Sequence, residues 1–440
     1  MRSQPRLATS LVAFTLLVLP AVAQAPPPTA PAAAKPPSVV AGFPVNYDEA
    51  LAGGYTLPDV LKLANGKPVK NAKDWNAKRR PELVKLYEEQ QFGRTPGRPA
   101  AMSFDVFDKG TPAMEGKALR KQVTVYFSAD RNGPKEDIVI YVPAKATKPV
   151  PLLLCINFSP NASIFNDPGI KLGEMWNRDK KKVPAQRGGG LGRMNIDGLL
   201  EKGIGVAGIY YGDIDPDFPG GLPFGVRAHY LKPGQAEPAA DEWGAISAWA
   251  WGLSRAMDYL ETEQSVDAKR VALYGVSRLG KTVLWAGVHD TRFALVVASC
   301  SGEGGAALSR RNFGETIAHM TAPSRFGYQF AANRAKYAEH PEQCPVDAHM
   351  LVALMAPRPV FLQTGDGDLW SDPKGEFLAA VAAEPVYKLL GKQGLGTDQM
   401  PKAGEPIFHD IGYHMHAGGH GTIPGDWVPI TKYLEMYLHP

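Results

Sequence analysis

The stretch VALYGVSRLGKTVLWAG, residues 271–287, decides how the rest of this chain is read. It opens on a short apolar run, Val271 to Tyr274. It then passes through Gly275-Val276-Ser277-Arg278-Leu279-Gly280 and continues as a helical run over 281–287. A buried strand feeding a glycine-flanked serine and then a helix is the setting in which G-x-S-x-G becomes a mechanism. The glycines let backbone approach backbone in a turn too tight for side chains, which lifts Ser277 clear of the sheet edge. A hydroxyl at that spot meets a base on one side and backbone N–H donors on the other. The helix N-terminus behind it favours the negative charge of an acyl-transfer intermediate. The plainer alternative is a serine in an ordinary strand-to-helix turn. A strand before, a helix after and a late Gly-Gly-His tip the reading towards catalysis.

Outward from this turn, apolar runs mark strands at 121–127, 137–142, 150–156, 204–210, 293–299 and 359–363. Helical periodicity marks 78–92 (stripe Leu83, Leu86, Tyr87, Phe92), 243–261 and a last helix at 427–438. Antiparallel-looking strands come first, then continuous apolar strands alternating with helices. That succession predicts an α/β protein with a mostly parallel central sheet covered by helices on both faces. Serine turn, then an acid after a later strand, then a late histidine is the chain order of the α/β-hydrolase fold.

The 440 residues are 44% hydrophobic and 21% charged, ordinary for a globular protein with a sizeable core. Arg2 and Arg6, the apolar run 11–19 and Ala21-Val22-Ala23 read as a signal peptide over 1–23, cut after Ala23. The expectation is therefore a secreted or periplasmic protein. The apolar run is too short to span a bilayer, and no later stretch is long and apolar enough. Removing 1–23 takes away two arginines and no acid, so the formal charge falls from +4 to +2. No basic stripe with interleaved aromatics points to nucleic acid. Residues 24–45 are read as a Pro/Ala-rich linker and 46–440, which hold no internal repeat, as one catalytic domain. Cys155, Cys300 and Cys344 allow at most one disulfide. The glycine cluster 188–192 follows a polar loop and lacks the lysine–serine pair of a phosphate loop; Lys180-Lys181-Lys182 reads as a solvated loop.

A serine needs a base within hydrogen-bond reach, itself oriented by a carboxylate. The late histidines are His409, His414, His416 and His420. His420, in Gly418-Gly419-His420-Gly421 just before the last helix, is the expected base, and the other three are read as loop or core residues. A zinc site among them lacks the H-E-x-x-H spacing and a nearby cysteine pair, so no metal is expected. After strand 359–363 the chain reads Thr364-Gly365-Asp366-Gly367-Asp368-Leu369-Trp370. Asp368, further out along the loop, is the expected triad acid, and Asp366 is expected to close the turn.

The arginine directly after the serine and the lysine four residues after it give GVSRLGK, which resembles the G-x-S-R-x-G-K motif of the glucuronoyl esterases, carbohydrate esterase family 15. The resemblance extends to Tyr210 through Asp217, the Trp243 to Trp251 helix, Ser301-Gly302-Glu303-Gly304-Gly305, Gly365 to Trp370 and Gly418 to Gly421, and looks closest to the bacterial branch. It implies an esterase that cleaves links between the 4-O-methyl-glucuronate of xylan and lignin alcohols. It further implies Ser277 as nucleophile, His420 as base, Arg278 stabilising the oxyanion, Lys281 on sugar hydroxyls, and Glu315 and Trp370 holding the glucuronate ring. An arginine beside the nucleophile can supply a charged donor. No HGGG segment follows strand 150–156 to supply the conventional second one.

Two departures from the fungal pattern matter. Fungal members carry the triad glutamate 23 residues after the serine, where this chain has Cys300. The role is expected to pass to Asp368. The cysteines that fungal members bridge beside serine and histidine are Val276 and Gly421 here. The expected protein is thus a monomeric, cofactor-free serine esterase acting on glucuronoxylan or lignin–carbohydrate esters. The alternatives are another carbohydrate carboxylesterase, such as an acetyl esterase, or a non-catalytic polysaccharide-binding relative.

Overall fold

The computed structural model describes Met1, residues 37–188 and residues 194–440. The expected signal peptide beyond Met1, the first part of the linker and most of the glycine cluster lie outside the described residues. Pro37–Pro440 forms one compact unit. Residues 37–45, expected to continue the linker, instead belong to it. Val39–Val40 pairs antiparallel with Phe43–Pro44, and the Phe43 ring lies edge-on to His319 at 6.0 Å. Backbone pairing and one half-buried ring are enough to hold a segment whose composition suggested none.

A nine-stranded sheet organises the unit. In chain order its strands are β1 (Ser103–Ala113), β2 (Ala118–Tyr126), β3 (Lys135–Pro143), β4 (Val150–Asn157), β5 (Gly205–Tyr210), β6 (Val266–Val276), β7 (Leu295–Ser299), β8 (Val360–Gly365) and β9 (Ile411–His416). Across the sheet they run β9-β8-β7-β6-β4-β5-β3-β2-β1. From β9 to β5 every pairing is parallel, while β3, β2 and β1 close the far side antiparallel. Strands β1 and β9 were not anticipated. The first is an edge strand with only two buried residues, and the histidines of β9 mask its period.

The continuous apolar strands are buried on both faces, as their sequence required. In β4, Leu152, Leu154 and Ile156 join one core while Leu153 and Cys155 join the other. Side chains alternate across a strand, so an unbroken apolar run must feed two cores. The first core receives α1 (Arg80–Tyr87), α2 (Ala245–Leu260), α3 (Arg278–His289) and α4 (Pro373–Leu389). The second receives α5 (Trp427–Leu438) through Trp427, Ile430 and Tyr433. Helix α2 is buried all round, which its sequence (AISAWAWGLSRAMDYL) explains better than amphipathicity does. The indole N–H of Trp249 donates to the Asp215 carbonyl at 2.8 Å, so the ring is buried without an orphaned donor. Helix α1 is shorter than the expected 78–92, being flanked by π-helical turns at Trp75–Arg79 and Glu88–Phe92. Among the described residues, no helix is long and apolar enough to cross a membrane. All six parallel strands end at one edge of the sheet, where open α/β sheets place their ligands.

Candidate active site

Ser277 sits in the turn between β6 and α3 with φ 61° and ψ −129°, a strained conformation for a residue with a side chain. Its amide donates to the Ser299 carbonyl at 2.7 Å, which ties the turn to the end of β7. The two glycines are required here by space. A Cβ at Gly275 would stand 2.3 Å from the Leu279 carbonyl oxygen, and one at Gly280 would stand 2.8 Å from that of Ser299. A strand end, two bare backbone positions and a helix start therefore project one hydroxyl from the sheet edge.

Ser277, Arg278 and His420 line one cavity of about 490 Å³, together with Ile156, Phe158, Met194, Tyr274 and Val276. His420 Nδ1 lies 2.7 Å from Asp368 Oδ2, and Ser371 Oγ is 3.2 Å from the same nitrogen. Asp368 is 6% exposed. Burial alone would raise its carboxyl, but the hydrogen bonds and charge of His420, with help from Ser371, hold it below the usual carboxylate range. It is thus an ionised acceptor that holds the imidazole proton on Nδ1 and leaves Nε2 unprotonated.

The other acids near the histidine loop are engaged elsewhere. Asp366 Oδ1 accepts from the Gly418 amide at 2.8 Å, while the Gly367 amide donates to the Gly418 carbonyl at 2.7 Å. Asp366 thereby shapes the loop that carries His420. Glu303 faces Arg334, 2.5 Å away, in a pair both of whose members are buried. Cys300 stands beside the histidine. Its thiol exchanges hydrogen bonds with Gly421 at 3.3 and 3.5 Å, and burial with the charge of Asp368 pushes its ionisation up. One ligand atom each from Cys300, Asp368 and His420 fall within 4.8 Å of one another, the group among the described residues with metal-binding spacing. Two of its three members are already committed to each other. All three cysteines are free and buried.

Two of the three remaining late histidines support the loop. His414 Nε2 lies 2.9 Å and His416 Nδ1 3.0 Å from the two oxygens of the buried Asp426, and His416 Nε2 meets the Gly419 carbonyl at 3.0 Å. His409 Nδ1 contacts the Gly394 and Leu395 carbonyls instead.

Arg278 is held by Asp217 Oδ2 at 2.5 Å and lies over the Phe326 ring at 4.7 Å. Burial works against its charge, but Asp217 more than restores it. Asp217 itself accepts from Tyr328 Oη at 2.7 Å, Gln329 Nε2 at 2.6 Å and Tyr211 Oη at 3.1 Å. This cradle was missed in the sequence. Asp217 stands in the run Asp213-Ile214-Asp215-Pro216-Asp217, where nothing in the spacing says which acid meets the arginine. Lys281 Nζ donates to the Ser301 carbonyl at 2.5 Å and to Glu315 Oε1 at 3.2 Å, and Glu315 Oε1 also accepts from the Glu303 amide. The Trp370 carbonyl accepts from the Glu315 amide at 2.8 Å, so the two residues expected to hold a sugar are adjacent. Beneath them Glu376 Oε1 accepts from Ser301 Oγ and the Gly302 amide, and burial pushes its carboxyl up to about 8.

A family model described as "Glucuronyl esterase, fungi" matches residues 238–391. A prokaryotic carbohydrate esterase, MZ0003, is 44% identical over 402 residues, covering 89% of this chain and 92% of its own. The glucuronoyl esterase of Solibacter usitatus superposes with a TM-score of 0.85 at 46% identity, over 88% of this chain and 99% of that one. A 4-O-methyl-glucuronoyl methylesterase of Phanerochaete carnosa is 25% identical over 86% of this chain and 82% of its own. With near-complete coverage at more than two-fifths identity on the α/β-hydrolase fold described above, the chain belongs to the glucuronoyl esterases of carbohydrate esterase family 15 and is a carboxylic ester hydrolase.

Proposed function

We propose that this enzyme hydrolyses esters of 4-O-methyl-glucuronic acid in glucuronoxylan, including those to lignin alcohols, through an acyl-enzyme on Ser277. His420 Nε2 takes the Ser277 proton as Oγ attacks the C6 carbonyl. It returns that proton to the leaving alcohol, and water, activated by the same imidazole, then releases the acid. Asp368 keeps the histidine in the required tautomer and balances the imidazolium. The oxyanion is met by the backbone amide after the nucleophile, at the start of α3, and by the Arg278 guanidinium. Asp217 fixes that guanidinium in place before substrate arrives, so little reorganisation is left for the reaction step. Lys281, Glu315 and Trp370 take the uronate ring, the first two through its hydroxyls and the third through a ring face.

The observation that carries this reading is the His420–Asp368 contact of 2.7 Å at the mouth of the cavity that Ser277 lines. The name of the Phanerochaete carnosa relative supports the substrate class. The protein is exported through the signal peptide 1–23 and acts as a monomer on polysaccharide outside the cytoplasm. Hydrolysis of benzyl glucuronate compared with benzyl acetate tests the substrate class. The sugar ester should be turned over with the higher kcat/KM, and a preference for the acetate would reject it.

A further inference from the structure

Near Glu315, two half-buried side chains each carry a buried donor atom with no hydrogen bond among the described residues. Tyr47 Oη and Arg325 Nη1 are both buried without a partner among the described residues. Buried polar groups are almost always paired, so each orphan needs a reason. Tyr47 belongs to the N-terminal segment that the fold retains. The neighbouring Asn46 carbonyl accepts from the Gly314 amide at 2.8 Å, and Asn46 Nδ2 donates to the Asn312 carbonyl at 2.6 Å. The Tyr47 ring lies edge-on to Phe313 at 6.2 Å. These contacts pin the tyrosine against the residues that lead directly into Glu315.

Arg325 approaches from the other side, after the short helix Ile317–Thr321. Its guanidinium lies 5.1 Å over the Trp370 ring and 4.8 Å over that of Phe326. Phe326 also carries Arg278 at 4.7 Å, so two guanidinium groups share one ring at the edge of the active site. Arg278 has Asp217 as counter-ion, whereas Arg325 makes no ion pair among the described residues. A guanidinium stacked on an aromatic face keeps its N–H groups in its own plane, free to meet an acceptor that arrives beside the ring. The field of Glu315 reaches both residues. Burial raises the Tyr47 hydroxyl, with Asp368 and Glu315 adding to it, and burial lowers Arg325 with Glu315 opposing.

We propose that Tyr47 and Arg325 are two further substrate-binding residues, which donate to the oxygens of the uronate ring held by Glu315 and Trp370. The proposal rests on the glucuronate-ester reading above and adds to it the source of specificity. A hydroxyl-bearing acyl group satisfies both donors. A plain acyl group leaves them buried and unpaired, the situation in which a site rejects an analogue most strongly. The first residues of the catalytic domain, just past the segment read as linker, thereby become part of the sugar pocket.

The test measures kcat/KM on benzyl glucuronate and on phenyl acetate for the parent, Tyr47→Phe, Arg325→Met and Arg325→Lys. The glucuronate-to-acetate ratio should fall about 10- to 100-fold in Tyr47→Phe and in Arg325→Met, mostly through KM, and Arg325→Lys should recover part of it. Tyr47→Phe removes a hydroxyl that bonds to nothing in the free enzyme, so its melting temperature should be unchanged or higher. Ratios within twofold of the parent in both variants overturn the proposal, as does a lowered melting temperature in Tyr47→Phe, which would show the hydroxyl to be structural. A parent that turns over phenyl acetate but not benzyl glucuronate overturns the substrate reading and the proposal together.

Discussion

Replacing Asp368 by asparagine separates the proposed triad acid from its neighbours. In the parent, the carboxylate accepts the imidazole Nδ1–H at 2.7 Å in a site where the acid is 6% exposed. The amide that replaces it carries no charge to balance the imidazolium. Ser371 Oγ, 3.2 Å from Nδ1, is then free to donate to that nitrogen and stabilise the unproductive tautomer. In an unrelated serine protease the same change lowers kcat by about 10⁴ through the tautomer. The expected loss here is roughly two to four orders of magnitude in kcat, or about 3–5 kcal/mol of transition-state stabilisation. Glu303→Gln should behave in the opposite way. It leaves the Arg334 guanidinium buried without its counter-charge, which destabilises the fold by about 3–5 kcal/mol, while kcat of the folded enzyme stays near that of the parent. Steady-state kinetics on benzyl glucuronate and thermal melts of both variants provide the assay. Cys300→Glu in the Asp368→Asn background should recover about tenfold, since position 300 already brings its side chain beside the histidine. A mild Asp368→Asn together with a crippled kcat in a fully folded Glu303→Gln would refute the assignment.

Three further outcomes follow from the same geometry. Ser277→Ala should abolish turnover while leaving the melting temperature close to that of the parent; activity within tenfold of the parent would remove Ser277 as nucleophile. Asp217→Asn frees the Arg278 guanidinium from its charged partner, and kcat should fall by about 10- to 100-fold with KM little changed, because the oxyanion is met only in the transition state. Glu376 has its carboxyl raised to about 8 by burial, so the folded protein binds a proton there that the unfolded chain releases. That stabilisation is complete below the ordinary glutamate pKa and is lost as pH rises through about 8, at a cost of about 3–5 kcal/mol. Glu376→Gln should flatten the decline in chemical-denaturation stability between pH 4.5 and 8, and an unchanged slope would contradict it.

What was legible from the sequence is what local chemistry dictates. The unbroken apolar runs of β4, β5, β7 and β8 can only be strands buried on two faces, and alternation with helices then dictates a parallel sheet. Gly275 and Gly280 mark a turn that no other residues fit, so the projection of Ser277 could be read directly. Strand β1 escaped because an edge strand need not be apolar. The hairpin at 39–44 escaped because its order comes from Phe43 meeting His319, far along the chain. Only the tertiary structure decided which side chains face one another across the sheet edge. Asp366, Asp368 and Glu303 carry the same carboxyl chemistry, and only their place along the loops favoured Asp368 on paper. Parallel pairing of β8 with β9 sets Asp368 against His420, 52 positions away, and turns Asp366 onto the loop backbone, while Arg334 captures Glu303. The same holds for Asp217 on Arg278 and for the unpaired donors of Tyr47 and Arg325. Periodicity and turn chemistry report on neighbours a few residues apart, whereas a hydrogen bond between strand ends depends on ångström distances that exist only once the sheet has closed.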